Sequence, residues 1–564
     1  MSLKRMRLTA RATCAASLLA LSIFCSAAQT PRAKTTSGNG NREISGVVVS
    51  ATSGQPLAGA DVTLTDPKTA VLVMETTSDA EGRFAFSHLS DGKYSLRATH
   101  RGYIASAFDD HDGFSSAIVT GQGLVSTGLR FAIKPLAVIY GAVSDDSGDP
   151  VQQGRISLYR QDERSGTGKI VRAGATITDD LGNYEFPRLS PGNYYIAVMA
   201  QPWYASQQQF QPESGDTTQE RPRSPLDVAY ATTFYADVTD SDQATPIPVK
   251  AGDRIPVNFT MHPVPAVHIS MQLPNPGRGQ FAGMPQLRQE IFGSMEPTAL
   301  QGVSYSAHDD GSGAPTMTSV ELSGVAPGHY EMEIRSPRGE AGRYTSVDAS
   351  ADHSVIDASA SEAMTDVSGK VAMPGGGPLP RGVSISLSSP QGDDNNRGRV
   401  ERDGSFEIHN VRPGTYEVTA NAPEATVAVA QITATGATVD GHLLKVGNVP
   451  TVLAATLVES TASVNGFAKI DGKPASGVMV VLVPSDPDAS RELFRRDQTN
   501  SDGSFTLKSA IPGVYTLVAI EDGWTLDWAR AEVIRHYLPR GQRVSVPAHG
   551  KDIQLTDALE VQPK

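Results

Sequence analysis

The length and composition of the chain indicate a protein of several domains. It has 564 residues, of which 39% are apolar and 19% charged, with 53 Gly and 37 Pro. At about 150 residues per domain this length predicts roughly four domains. The composition is that of a turn-rich globular protein and argues against a disordered or membrane-embedded chain.

The first 28 residues have the pattern of an export signal. A basic start is followed by an apolar stretch over residues 12–24 and by the small residues 26–28, so we expect cleavage after Ala28. An uncleaved anchor is the alternative, but the apolar stretch is short for a membrane span. The basic residues at the start are Lys4, Arg5, Arg7 and Arg11.

Cleavage would change both the thiol content and the charge of the chain. Cys14 and Cys25, the two cysteines, lie within the signal, so the mature chain would have no disulfide, thiolate metal site or cysteine nucleophile. Removing four basic residues from 48 leaves 44 against 61 acidic ones, a net charge of −17. Such a charge disfavours nucleic acid as a partner.

A signature of two glycines ten residues apart, with a tyrosine two residues after the second, recurs along the chain. Apolar and polar residues alternate after the first glycine, and Pro or Asp precedes the second. Repeats of this kind indicate related structural units. A degenerate copy with Pro327-Gly328 and Tyr330 brings the number of predicted units to five. The four complete copies lie at residues 79–96, 179–196, 403–416 and 502–515.

The spacing within each copy predicts a β-hairpin. Gly82-x-Phe84-x-Phe86 alternates with a period of two, as a half-buried strand does. The Asp-Gly or Pro-Gly pair then reverses the chain into a second strand. We interpret the tyrosine that opens this strand as structural, with a buried ring and a hydroxyl bonded to the backbone, in preference to a binding role. These tyrosines are Tyr94, Tyr194, Tyr330, Tyr416 and Tyr515.

Each complete copy is preceded by a second motif, an apolar strand that contains a glycine. Short strands separated by turn signals every eight to twelve residues or so predict a β-sandwich. Units of about 95–130 residues are large enough to bury a core without disulfides. The motifs are Ile44-Ser-Gly46, Ile139-Tyr-Gly141, Val367-Ser-Gly369 and Val464-Asn-Gly466.

These residues resemble the carboxypeptidase regulatory-like domain, a seven-stranded sandwich of the transthyretin-like and carbohydrate-binding-like fold group. The resemblance covers most of the chain and is weakest in the third unit. It implies an exported protein of several modules with a possible capacity to bind carbohydrate. It is a resemblance to the non-catalytic module of metallocarboxypeptidases, and a shared fold does not by itself assign a function.

We therefore predict an all-β tandem array of five seven-stranded sandwiches with one short helix near the C-terminus. Residues 1–28 are the signal peptide and residues 29–42 a flexible lead. The links between units are short, which predicts a stiff, extended chain. Modules 1 to 5 are predicted at residues 43–134, 135–264 (with a polar loop insertion at 201–225), 265–363, 364–458 and 459–562.

The sequence contains no motif for common catalytic chemistry. None of the 12 histidines has a glutamate three residues later, and no Gly-x-Ser-x-Gly is present, so neither a zinc peptidase nor a serine hydrolase is indicated. His88 and His409 lie inside the repeat at positions that predict solvent exposure. Ser165-Gly-Thr-Gly168-Lys169 lacks the first glycine and the Ser or Thr of a phosphate loop, and we interpret it as a turn between strands.

Two acidic clusters and two aromatic groups remain as candidate sites. Asp109–Asp112 and Asp237–Asp242 offer oxygen ligands for calcium but complete no EF-hand, and solvated acidic loops are the alternative. Trp203-Tyr204, together with Tyr230, Phe234 and Tyr235, could stack on sugar rings; we prefer a contact with module 3 or the covering of a sandwich end. Residues 528–537 predict one short helix that Asp527 caps and Pro539 ends, with Trp524 and Trp528 packed on module 5.

The sequence thus predicts a secreted or periplasmic, non-enzymatic binding or scaffold protein without a cofactor. The preferred partner is a glycan or cell-envelope polymer. One alternative is a protein–protein adhesion or envelope-assembly module that uses sandwich edges and loops. Another is a set of accessory modules of an unrecognised enzyme. No catalytic, cofactor or metal residue is assigned, and no membrane span is expected in the mature chain.

Overall fold

The computed structural model describes most of the chain after residue 39. The predicted signal peptide and most of the predicted lead lie outside the described residues. The polar insertion is described only at its two ends. The described residues are 40–564 except 112, 206–223, 273–284, 301, 309–315, 335–341, 351–353, 358–360, 390–394, 460–461, 489 and 548–550.

The described residues form 46 strands and one short α-helix, so the predicted all-β class is confirmed. None of the helices in this part of the chain has the length and apolarity that a bilayer crossing requires. Module 1 contains β1 (Arg42–Ser50), β2 (Asp61–Thr65), β3 (Leu72–Thr77), β4 (Arg83–Leu89), β5 (Gly92–Thr99), β6 (Ser106–Ala107), β7 (Ile118–Thr120) and β8 (Leu129–Ile133). Module 2 contains β9 (Ala137–Asp145), β10 (Arg155–Gln161), β11 (Ile170–Ile177), β12 (Asn183–Leu189), β13 (Gly192–Met199), β14 (Val228–Tyr230), β15 (Thr233–Phe234), β16 (Ile247–Val249), β17 (Arg254–Pro256), β18 (Phe259–Met261) and β19 (Pro263–Pro265).

The strands of the C-terminal half belong to modules 3, 4 and 5. Module 3 contains β20 (Val267–Gln272), β21 (Pro285–Ile291), β22 (Ser294–Pro297), β23 (Gly302–His308), β24 (Thr316–Val325), β25 (His329–Ile334), β26 (Arg343–Asp348), β27 (Ser354–Asp357) and β28 (Glu362–Ala363). Module 4 contains β29 (Thr365–Ala372), β30 (Ser384–Ser388), β31 (Asn395–Arg399), β32 (Ser405–Val411), β33 (Gly414–Asn421), β34 (Val427–Thr435), β35 (Ala437–Asp440), β36 (Leu443–Val446) and β37 (Thr451–Glu459). Module 5 contains β38 (Val464–Ile470), β39 (Lys473–Pro474), β40 (Met479–Pro484), β41 (Arg495–Gln498), β42 (Ser504–Leu507), β43 (Gly513–Ile520), α1 (Ala531–Ile534), β44 (Gln542–Val546), β45 (Ile553–Gln554) and β46 (Leu559–Gln562).

Each predicted module holds its own sandwich core. In module 1, the sheet β4-β1-β8 faces the sheet β3-β2-β5-β6, and Val62, Phe86 and Phe131 are among the side chains buried between them. Modules 2, 3 and 4 repeat this arrangement, each with a separate buried cluster. In module 5, β46 pairs with both β38 and β43 and joins the two sheets into one. The sandwich prediction is confirmed, while the stated boundaries of the five modules stay a prediction.

The predicted hairpin is wrong, because its two strands lie in different sheets. β4 pairs with β1, whereas β5 pairs with β2, and the corresponding strands of module 2 do the same. The residue before the end of β4, His88, has a φ of 61°, and its counterpart Arg188 has 62°. This left-handed residue turns the chain across the sandwich, so that β4 and β5 direct their apolar side chains into the same core from opposite sides.

The structural role predicted for the recurrent tyrosine is confirmed in all five copies. Each hydroxyl donates a hydrogen bond to the carbonyl oxygen four residues earlier, over 2.8–3.0 Å. Burial raises the pKa of Tyr515 to about 12, because the ionised hydroxyl would lose its hydration. The bond fixes the crossing between the two sheets at the point where the second begins.

The glycine of the opening strand is explained by a close parallel neighbour. In module 1, the first strand, β1, lies beside the last, β8, and the Gly46 Cα faces the Leu129 backbone. A Cβ on Gly46 would lie 2.2 Å from the Leu129 carbonyl oxygen, and one on Gly369 would lie 1.8 Å from that of Leu453. A side chain at these positions would force the first and last strands apart.

Replacing Tyr515 by phenylalanine should destabilise module 5. The change removes a buried hydroxyl and leaves the Ile511 carbonyl oxygen without this donor, which costs about 1–2 kcal/mol. Urea unfolding followed by the fluorescence of Trp524 and Trp528 measures the effect. The matched control Tyr94→Phe removes the same bond in a more exposed corner and should cost clearly less; equal costs would contradict the explanation.

Candidate functional site at the junction of modules 1, 2 and 5

Three segments that the sequence presents as separate candidates meet in space. They are residues 109–111 of the acidic segment of module 1, the glycine-rich turn 165–169 of module 2 and the tryptophan segment 524–528 of module 5. The prediction of an extended chain is therefore wrong, because module 5 folds back onto modules 1 and 2. We call the contact between residues 109–111 and 114–119 of module 1 and residues 498–504 of module 5 the closing contact.

The amide of Gln498 lies at the centre of the closing contact. The side chain is 1% exposed, and its Nε2 donates to the carbonyl oxygen of Asp109 at 2.7 Å and to Ser116 Oγ at 2.9 Å. Its Oε1 lies 3.1 Å from His111 Nδ1. Both ends of one buried amide are thus satisfied by a module almost 400 residues away in the chain.

The edge of β7 extends the closing contact. The Ala117 N–H donates to Asn500 Oδ1, and the Ala117 carbonyl oxygen accepts from the Ser501 N–H, both at 3.0 Å. The Val119 N–H donates to Ser501 Oγ at 2.8 Å, and Lys93 Nζ donates to Ser504 Oγ at 2.7 Å. The turn before β42 therefore occupies a strand edge that would otherwise face water.

Aromatic side chains cover one flank of the closing contact. The rings of His111 and Trp524 are stacked, with centroids 4.9 Å apart. The Arg496 guanidinium lies 4.5 Å from the ring centroid of Phe114 and 4.8 Å from that of Trp528. These contacts join modules 1 and 5 through cation–π attraction and through apolar area.

The turn of module 2 fixes where the helix of module 5 begins. The Ala529 N–H donates to the Gly166 carbonyl oxygen at 2.9 Å, and Arg530 Nε donates to that of Thr167 at 2.8 Å. A Cβ on Gly166 would lie 2.4 Å from the Trp528 ring. The predicted helix over residues 528–537 is wrong at both ends, since α1 covers Ala531–Ile534 and the backbone of residue 529 is bonded to module 2.

Module 5 differs from the other modules at the repeat positions that make the closing contact. Asn500 and Ser501 occupy the positions held by Asp79 and Ala80 in module 1, and by Asp179 and Asp180 in module 2. Asn500 is an uncharged acceptor for the Ala117 N–H where the other complete copies have an acid, and the Ser501 hydroxyl accepts from the Val119 N–H where module 1 has alanine. The repeat builds the sandwich, and these two residues adapt its turn to the edge of module 1.

Buried charges hold the neighbouring junctions. Glu296 of module 3 lies 3.3 Å from Arg155 and 3.4 Å from Arg172 of module 2. Glu333 of module 3, 2% exposed, lies 3.2 Å from Arg412 of module 4 and 2.9 Å from Arg288. A buried ion pair tolerates little misalignment, so these junctions specify one arrangement of the modules.

The junction of modules 4 and 5 contains an ionisable cluster. His442 Nδ1 forms a buried ion pair with Glu492, and the hydrogen bond to that carboxylate raises the pKa of His442. Burial, with the Glu492 charge in addition, raises the pKa of Glu417, while Arg491 opposes this shift. The stability of this junction therefore depends on pH through groups whose pKa values are both raised.

The acidic clusters considered as calcium sites make protein contacts. Asp109 Oδ2 accepts from Ser116 Oγ at 3.0 Å, Asp240 Oδ1 accepts from the Asp242 N–H at 3.0 Å, and Asp237 Oδ1 accepts from the Thr260 N–H at 3.3 Å. Asp112 lies outside the described residues. These hydrogen bonds explain the carboxylates as acceptors within module 2 and within the closing contact.

One other group in the described part of the chain has the composition of a metal site. The ligand atoms of Asp366, Glu407 and His409 lie within 4.8 Å of one another. The two ring nitrogens of His409 face different carboxylates, at 3.3 Å and 3.6 Å. An exposed ion-pair cluster explains this arrangement, and His409 is exposed as the repeat predicts.

Most of the aromatic side chains considered for sugar stacking are buried. Phe234 lies against Phe292 of module 3, with centroids 5.7 Å apart, as the preferred interpretation requires. Tyr230 belongs to the core of module 2 and Tyr235 packs against that core. Trp203 is 77% exposed and contacts Tyr204 edge to face, so it alone of these rings offers an open face.

Comparison with known proteins confirms the predicted family resemblance. Residues 43–112 and 138–262 match the carboxypeptidase regulatory-like domain, and residues 366–445 match the second beta sandwich domain of the BOS complex subunit NOMO1-like family. The two stretches that match the carboxypeptidase regulatory-like domain lie in the predicted modules 1 and 2. A comparison with curated protein sequences gave no match.

The solved structures that match the chain include two pilins and a Bacillus anthracis protein. The Streptococcal ancillary pilin is 11% identical, with 56% of this chain and 98% of that chain covered and a TM-score of 0.19. The Bacillus anthracis TIE protein is 10% identical, with 74% of each chain covered and a TM-score of 0.17. The minor pilin of Streptococcus agalactiae is 17% identical, with 40% and 97% covered and a TM-score of 0.19. With TM-scores this low, none of them informs function.

Replacing Gln498 by alanine should open the array. The change removes the buried donor to Asp109 and Ser116 and should weaken the closing contact by about 2–3 kcal/mol. Small-angle X-ray scattering should show a larger radius of gyration than that of the wild type. The control Gln431→Ala removes an exposed glutamine from module 4 and should leave the radius unchanged; an unchanged radius for Gln498→Ala would refute the role of this amide.

The junction of modules 4 and 5 should be more stable in mild acid than in alkali. Because the pKa of His442 is raised above its usual 6.5, its contribution is complete below pH 6.5 and is lost as the pH rises through the raised value. The raised pKa of Glu417 acts in the same direction from its usual 4.5 upward.

Urea unfolding of the wild type and of His442→Gln, at pH values from about 5.5 to 9, tests this junction. Tryptophan fluorescence from module 5 should show that the substitution lowers stability more at the acid end, by about 1–3 kcal/mol there. His329, whose ring is exposed, provides the control variant His329→Gln. A His442→Gln profile parallel to that of the wild type would rule out the assignment.

Proposed function

We propose that this chain is an exported, non-enzymatic scaffold whose five modules form a closed array that binds protein partners. The single observation behind this proposal is the closing contact, in which Gln498 bonds to module 1. A closed array holds the loops and strand edges of all the modules at fixed positions. Surfaces held at fixed positions favour binding, because the modules lose little conformational entropy when a partner binds.

Residues that could take part in catalysis instead make contacts between modules, which supports a non-catalytic role. Asp109 and His111 bond to Gln498, and Gly166 bonds to Ala529. These groups are occupied by contacts between modules and are not arranged around an open cleft. The resemblance to regulatory-like domains supports the same conclusion.

Carbohydrate binding is the second candidate function, and Trp203 is the observation that favours it. Its ring is open to solvent and its neighbour Tyr204 stands at the edge of that ring. Sugar rings stack on such a face through their C–H groups. The burial of Tyr230 and Phe234 leaves a platform of one ring, which is why protein binding is the preferred function.

The predicted signal at residues 1–28 supports export. Its cleavage would remove both cysteines, and the five cores are built without cysteine. We therefore propose a secreted or cell-envelope location, with a mature chain that begins at Gln29. Mass spectrometry of the exported chain measures that N-terminus directly.

Crosslinking in the producing cell should distinguish the two candidate functions. The wild type should form protein–protein crosslinks in the secreted or envelope fraction, and Gln498→Ala should lose them while it is still exported, because its modules no longer hold fixed positions. Gln431→Ala serves as the control. Retention of polysaccharide by the wild type but not by Trp203→Ala, without protein crosslinks, would instead identify a carbohydrate-binding protein.

A further inference from the structure

The strand edge that module 1 uses in the closing contact has an equivalent in module 5. In module 1, Lys93 of β5 lies opposite Val119 of β7. In module 5, Val514 of β43 lies opposite Ser545 of β44 in the same register. By this register, Ser545 corresponds to Val119, and Arg543 corresponds to Ala117.

The two equivalent edges differ in what covers them. Val119 is 8% exposed because the module 5 turn lies on it, whereas its equivalent Ser545 is exposed. Arg543 and Val514 are also exposed, and no described strand other than β43 pairs with β44. We call the surface formed by Val514, Arg543 and Ser545 the open edge.

The corresponding edges of the other modules are blocked or acidic. In module 2, β16 carries Pro248, which has no N–H to donate, and in module 4, β36 is paired on its second side by β35. In module 3, β28 pairs with β26 only at Arg343 and Tyr344, so the equivalent residues Ser346 and Asp348 are exposed and present a carboxylate. Among the described residues, the open edge is thus the exposed copy of this repeated docking position that carries a cation, Arg543.

The turn of module 1 is an exposed counterpart of the turn that makes the closing contact. Residues 79–83, between β3 and β4, occupy the repeat positions of residues 500–504. Asp79, Ala80 and Glu81 are exposed. Beside this turn, a cleft of about 560 Å³ is lined by module 1 residues alone, so no other described module covers it on that side.

The turn of module 1 and the open edge are complementary. By the register, Asp79 takes the place of Asn500 and so faces Arg543, which takes the place of Ala117. The exposed carboxylate of Glu81 lies two residues further along the same turn and adds to the attraction for the exposed Arg543 guanidinium. In the closing contact, Lys93 donates to Ser504; here Val514 replaces the lysine and Arg83 replaces the serine. An arginine stem packs on an exposed valine without like-charge repulsion.

We propose that a second copy of the chain docks its module 1 turn, residues 79–83, on the open edge of module 5. The inference rests on the scaffold function proposed above and names one of its partners. The two surfaces differ, so the contact is heterologous and each copy keeps one free turn and one free edge. Successive copies then add head to tail.

Sedimentation velocity of the purified full chain tests this assembly. A contact between one turn and one strand edge is small, and small contacts have dissociation constants of about 1 μM to 1 mM. The sedimentation coefficient should therefore rise with protein concentration across that range. Arg543→Glu and Glu81→Arg should each weaken the association about tenfold or more. The double variant should restore it, because the reversed charges meet between copies.

Two further variants separate docking from folding. Val514→Lys introduces the module 1 residue at the open edge, where it would meet Arg83 of the next copy, and should also abolish association. Arg402→Glu reverses an exposed charge in module 4 and should associate as the wild type does. All variants should unfold thermally as the wild type does.

The inference is overturned by a wild type that stays monomeric throughout, by association that survives Arg543→Glu, or by a double variant that is not restored. If the purified chain stays monomeric but still forms protein crosslinks in the cell, the scaffold function is retained and a second copy is not its partner. Loss of both self-association and all crosslinks would remove the two proposals together.

Discussion

The arrangement of the modules depends on one buried amide. Gln498 satisfies a carbonyl oxygen and a hydroxyl of module 1, and the amide would lose these bonds if the array opened. In an opened array water would replace these bonds, so the amide stabilises the closed form only by the modest net difference between the two sets of bonds. Misaligned modules, in contrast, would bury the amide without partners, so the amide specifies one arrangement while each module keeps its own apolar core.

The junctions share this polar character and differ in chemistry. Modules 3 and 4 meet through Arg412 and Glu333, and modules 4 and 5 meet through His442 and Glu492. Ionic and amide contacts discriminate between partners by geometry, whereas apolar faces tolerate sliding. The covalent chain sets the order of the modules, and these contacts fix how neighbouring modules are oriented.

The sequence predicts what repeats and misses what depends on distant residues. The hydroxyl bond of Tyr515 and the close approach at Gly46 follow from local spacing and recur in the structure. The crossing at His88 was missed because a left-handed residue other than glycine leaves no signal in a single sequence. Asn500 and Ser501 do carry a signal, since they depart from the repeat. Comparing the copies for their differences would have indicated the closing contact, although not its partner.

The parallel pairing of first and last strands has a mechanical consequence. In module 1, β1 and β8 run side by side, and β29 and β37 do the same in module 4. A pull applied through the two links of such a module slides these strands along each other, so every hydrogen bond between them bears the load at once. Strands loaded at one end separate bond by bond and resist far less force. Once the closing contact is broken, each of these modules would still resist tension.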